Sequence, residues 1–235
     1  MQIGGNVKAL RQMKKNRKAA FVESGVFFAW LLFTIWYVMP AGVVAIQIAA
    51  LAITVLFVSL SQYLRRETPR SMGLDTKWFI QSLRRVMFFS VPAIGGMWFV
   101  GLLAGSIRVG AIAFFVIAIF YTSWALVQQY LFQAYLARRL RIFFGGRILT
   151  ALAAAVMFAI IHLPALFLAG GTFVFGFIAA FIFYRRPNIY SLAICHGLLG
   201  AALYGFLPDA LTGRIEGGEG LLKIPFDILQ HILSI

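Results

Sequence analysis

SWALVQQYLFQAYLARRLRIFFGGR, residues 123–147, is the stretch whose reading decides the fold. An apolar run carries the pair Gln128 and Gln129, then Gln133, and closes in Arg138, Arg139 and Arg141 ahead of Gly145-Gly146. Apolar sequence that ends in arginines is the pattern of a helix leaving the hydrocarbon of a bilayer. Amides inside such a span are costly unless they find partners, so these three mark an interhelical contact or a functional site.

The whole chain has the composition that this stretch implies. Of 235 residues 62% are hydrophobic, 24 are phenylalanine and only 12% are charged, which excludes a water-soluble domain. A net charge of +14 would suit nucleic acid, but the cations sit between the apolar segments. That is where membrane topology places them, so the partner they imply is the lipid bilayer and no nucleic acid is expected. The single cysteine, Cys195, excludes an internal disulfide. The expected fold is an all-α polytopic membrane protein of about seven transmembrane helices.

Upstream of the glutamines, residues 1–20 form a basic cytoplasmic segment with Lys8, Arg11, Lys14, Lys15, Arg17 and Lys18. Residues 21–64 read as a transmembrane hairpin turning at Pro40-Ala41, with Glu23 at the membrane interface beside a lysine. A polar linker, 65–77, precedes an amphipathic interfacial piece, 78–85, and a third span, 86–105, that Pro92 and Gly95-Gly96 should kink. The fourth span runs from 109 through the glutamines to 144. Downstream come spans over 148–163, 165–184 and 189–207, completing a core of 65–208, and an amphipathic tail, 209–235, in which His231 is interfacial. Under this scheme 18 lysines and arginines fall on one side of the membrane and 3 on the other, which places the N-terminus in the cytoplasm and the C-terminus outside. Short loops and this orientation signal suit a bacterial inner membrane.

Helix rise sets the depth of the polar residues. Gln128 lies about 15 Å from Arg138, His162 about 22 Å from Arg147 and His196 about 15 Å from Arg186, so three spans bring polar groups to a similar mid-membrane level. Gln129 and Gln133 share a helical face, and Gln128 points about 100° away.

Three motifs on these spans resemble the CPBP family, which includes the type II CAAX prenyl endopeptidases and the bacteriocin-processing and lysostaphin-resistance-like proteins. The family pattern E-E-x-x-x-R reads here as Gln128-Gln129-Tyr130-Leu131-Phe132-Gln133, F-x-x-x-H as Phe158 to His162, and H-x-x-x-N as His196 to Gly200. The likeness covers about residues 60–208 and implies a CAAX-protease-like core. In the family a motif glutamate is held to activate water for attack on a peptide carbonyl, with the histidines positioning water and stabilising the oxyanion. The resemblance therefore makes His162 and His196 the ancestral catalytic residues. Gln128, Gln129, Gln133, Phe158 and Gly200 become the motif equivalents.

Phe158, His162 and His196 keep the pattern, and the glutamates, arginine and asparagine are replaced. A general base must take a proton near neutral pH, which an amide cannot do. No acid occurs from 76 to 208, so no carboxylate from the core can substitute. Two histidines fall short of the three protein ligands of a catalytic zinc, so no metal or other cofactor is expected. The preferred reading is a non-catalytic scaffold or partner-binding subunit, its partner a membrane protein or lipidated peptide. An endopeptidase with an altered site and a small-solute carrier are the alternatives.

Overall fold

A computed structural model describes residues 3–212. The described residues are helices joined by short turns, with no strand among them: α1 (Ile3–Phe33), α2 (Val44–Leu64), α3 (Phe79–Ala104), α4 (Ala111–Gln129), α5 (Arg138–Phe144), α6 (Arg147–Ile160), α7 (Leu166–Phe183), α8 (Ile189–Phe206) and a last turn, α9 (Asp209–Thr212). Six stretches are long and apolar enough to cross a bilayer: Asn16–Val38, Val44–Leu64, Thr76–Ala104, Ala111–Phe144, Leu166–Phe183 and Ile189–Phe206. Large apolar side chains such as Phe88, Leu103, Ile112 and Leu166 lie exposed on their outer faces, as lipid contact requires. This is an integral membrane protein.

The fifth expected span, 148–163, is shorter than its sequence suggests. Helix α6 has 14 residues, about 21 Å of rise against a hydrocarbon core of about 30 Å. It stops because Pro164 cannot continue a helix, and His162 folds back in a turn whose N–H donates to the Ala159 carbonyl at 3.0 Å. Two expected segments continue into their neighbouring spans without a break in the helix. The basic N-terminal segment and the first span form one continuous helix from Ile3, and α3 runs unbroken through Pro92 and Gly95-Gly96 from Phe79. The interfacial piece expected at 78–85 is therefore the first part of the third span, and its Ser82 is buried against Ser191 at 2.7 Å. The expected tail beyond 212, His231 and the C-terminal orientation lie outside the described residues.

Close packing of α8 on α4 positions the site. Gly197 rests on the backbone of Thr122, and Gly200 on the ring of Tyr121, where an added Cβ would stand 2.5 Å from Cε1. Small residues at such crossings let helix backbones approach as closely as they do here. On the other side Ala155 meets Gly176, joining α6 to α7. The linker 65–77 is docked: Gly73 accepts from the Ile189 N–H at 3.0 Å, and Asn188 donates to the Asp75 carbonyl at 2.9 Å while capping α8 through the Ser191 N–H at 2.8 Å.

Candidate functional site

The helix that carries the glutamines changes winding just after them. A π-helical segment, Tyr130–Ala137, joins α4 to α5, and every residue from Phe132 to Ala137 within it is buried. The wider π turn rotates successive side chains differently from an α-helix, and such segments occur often at functional sites. Here it lets Gln133 and Tyr135, two positions apart, both lie inside the bundle.

Gln129 and His196 meet. The amide Nε2 of Gln129 lies 3.1 Å from His196 Nδ1, and both side chains are buried. With the amide nitrogen donating, Nδ1 is the acceptor and the ring proton sits on Nε2. His162 approaches from the turn after α6. Its Nδ1 lies 2.7 Å from the Phe158 carbonyl, which can only accept, so Nδ1 carries the proton.

Phe158 ties the two histidines together. Its ring stands edge-on to His162 at 5.0 Å and to His196 at 5.6 Å. Phe132 packs on Phe158 at 4.8 Å, Phe175 lies 5.0 Å from His196, and Tyr121 lies 6.1 Å from His196. Gly200, the motif position where the family has asparagine, offers no side chain because the Tyr121 ring occupies that space. The structure thus gathers Gln129, Phe158, His162, His196 and Gly200 around a packed set of rings. Gln128, half-buried, is not hydrogen-bonded to either histidine. The side-chain oxygens of Gln128, Gln129 and Gln133 are all buried with no protein partner among the described residues.

Glu23 corrects an expectation. Rather than pairing with a lysine at the interface, it accepts from Arg139 Nε at 2.7 Å and Tyr135 Oη at 2.9 Å, and it also bonds Ser61 and Arg65. Arg139, expected as a topology-setting surface cation, is fully buried and donates on to Glu67 and to Ser61. Arg138 pairs with Glu67 as well, at 3.3 Å. These bonds lie six to ten residues along the helix from Gln129, so neither carboxylate is brought to the histidines. Between the two clusters Tyr130 donates to Gln62 of α2, whose amide reaches the Ala134 carbonyl at 3.4 Å.

The ion network carried one usable sequence signal. A lone acid in a span needs a cationic or hydrogen-bonding partner, and folding the hairpin about residues 39–43 places Glu23 opposite Ser61 and Arg65. The Tyr121 and Phe175 rings had none, since in a chain so rich in aromatics each looks like its neighbours.

His162 and His196 have no third histidine, cysteine or acid grouped with them among the described residues. Their arrangement can bind, orient and exclude: an amide against a ring nitrogen, and aromatic edges around both imidazoles. Residues 108–202, from the start of α4 into α8, match the family model of the type II CAAX prenyl endopeptidase Rce1-like proteins. Comparison with curated proteins and with solved structures gave no match. Over residues 108–202 the chain is thus similar to the Rce1-like type II CAAX prenyl endopeptidases, in agreement with the likeness that the three motifs carry for the CPBP-like core.

Proposed function

We propose that this protein is a non-catalytic member of that family, a pseudoprotease acting as a scaffold or partner-binding subunit within the membrane. The observation that carries the reading is the Gln129–His196 contact, in which an amide stands where the family pattern has a glutamate. Peptide hydrolysis needs a group able to remove a proton from water, and an amide is essentially non-basic. The carboxylates of Glu23 and Glu67 are committed to Arg139 instead. Packing of Phe158 and Phe175 against the histidines, with Phe132 behind Phe158, supports the same reading, because aromatic edges rather than ionisable groups surround both imidazoles. The partner is a membrane protein or a lipidated peptide. Purification from native membranes tests this: a stoichiometric partner is expected, and repeated isolation as a partnerless monomer would count against it.

One observation favours a second reading, an endopeptidase with an altered site. With the proton of His162 on Nδ1, its Nε2 lone pair is available as a base. In that case His162→Ala abolishes processing in cells, and unchanged processing after replacing both histidines sinks the idea. The 18-to-3 charge asymmetry supports placing the arginine-bearing helix ends at the cytoplasmic face of a bacterial inner membrane. Reporter fusions at residue 66 and residue 108 test that placement; equal cytoplasmic activity at both would contradict it.

A further inference from the structure

A cavity of about 240 Å3 lies among α5, α6 and α7 at the arginine-bearing end of the bundle, away from the glutamines and histidines. Its polar wall comes from Arg138, Arg141, Thr150 and Tyr184, and its apolar wall from Ala180 and Phe183. Arg138 and Arg141 stand in the last turns of the span Ala111–Phe144, and Phe183 ends the span Leu166–Phe183. Residues at those positions share the level of the lipid headgroups. The cavity is smaller than the roughly 300–1,000 Å3 that drug-sized ligands occupy, so it suits a headgroup-sized fragment.

Charge at the cavity is positive and partly unspent. The Arg141 guanidinium lies 3.7 Å over the Tyr184 ring, and no acidic side chain pairs with it among the described residues. Stacking fixes the plane of the guanidinium and leaves its N–H edge directed outward, the arrangement that suits a tetrahedral oxyanion. Arg138 bonds the Ser71 carbonyl and Glu67, and its buried Nε has no partner among the described residues. No acid lines the cavity among the described residues, and Glu67, which pairs with Arg138, is shared with Arg139, which offsets its repulsion of an anion. Basic pockets between spans at this level are the places where anionic headgroups bind.

We propose that this cavity binds a phosphate-bearing anion and that in the bilayer the headgroup of an anionic phospholipid fills it. The test uses the full chain in neutral detergent, titrated separately with phosphatidylglycerol, phosphatidylcholine and inorganic phosphate, with retained lipid read by native mass spectrometry and the unfolding midpoint followed in parallel. Phosphatidylglycerol should be retained over phosphatidylcholine, and Arg141→Gln should weaken its retention about tenfold, the loss expected for one charge-assisted contact. Arg85→Gln removes the same charge from an exposed position on α3 and should leave retention unchanged. Arg141→Lys keeps the charge without the flat fork, so it should fall between the two and serves if Arg141→Gln does not fold. Stabilisation by inorganic phosphate through Arg141 with no selective lipid retention would keep the phosphate chemistry and overturn the lipid source. Equal weakening by Arg141→Gln and Arg85→Gln, or no binding of any of the three probes, would overturn the site.

Discussion

Gln129 and Arg139 sit ten residues apart on one continuous helical stretch, both without exposed surface, and their surroundings differ in charge. Around Arg139 the bundle assembles two carboxylates, a serine and a tyrosine from α1, α2, the linker and its own helix. Gln129 meets one imidazole, that of His196, which is itself set among the rings of Tyr121, Phe158 and Phe175. Near the end of a span, where several elements converge and water is close, a full set of counter-charges can surround an arginine. At the middle the partners are neutral. Where the family pattern has Glu, Glu and Arg, this chain has three glutamines, so no charge of either sign needs compensation there. Three buried amide oxygens without protein partners among the described residues are a standing cost that a bound donor would relieve.

The difference between the regions can be broken most severely at the ion network. Arg139→Met removes the buried cation that Glu23 and Glu67 share, leaving them Arg65 and Arg138, and should destabilise by about 3 kcal/mol, the lower end for a broken buried pair, measured by reversible unfolding in mixed micelles. In a double-mutant cycle with Glu23→Gln the two losses should be non-additive by about 0.5–3 kcal/mol. Additive losses would show that the pair does not act as a unit. Gly200→Asn, which restores the motif residue, should come next. The new side chain meets the Tyr121 ring, and overpacking of this kind costs about 1–3 kcal/mol, so the melting midpoint should fall. Gln129→Leu should have the smallest effect. It removes a neutral interhelical contact worth about 0.6–2 kcal/mol in a membrane. If Gln129→Leu proved as damaging as Arg139→Met, the contrast between a neutral midplane and a charged end would fail.

Much of this could be read before any coordinates, and the reasons differ by region. Apolar length and arginine punctuation located the spans expected over 109–144, 165–184 and 189–207 to within two residues, because the bilayer imposes both. Gly145 ends the long helix at φ 71°, a conformation glycine adopts without strain. Helix rise alone brought Gln128 to the level of His196, and the structure joins its neighbour Gln129 to that histidine at 3.1 Å. Burial of Arg139 was hidden because an arginine at the end of a span looks the same whether it faces water or a carboxylate from another helix. The π segment was hidden too, since periodic patterns assume a constant winding. The shortness of α6 was half-visible in His162-Leu163-Pro164, where the proline marks the stop but the preceding turn does not announce how much helix it consumes.

The expectation that Gln129 carries is that a site with an amide in place of the family pattern's glutamate does not hydrolyse peptides. Its most direct test is cleavage of prenylated and unmodified membrane-anchored peptides by the purified chain in liposomes, compared with the His162→Ala/His196→Ala double variant and with Gln128→Glu/Gln129→Glu. No product above the double-histidine background is expected for the wild-type chain. None is expected for the glutamate variant either, because Gln133, Gly200 and the ring packing are unchanged. Cleavage by the wild-type chain that disappears on His162→Ala would contradict it.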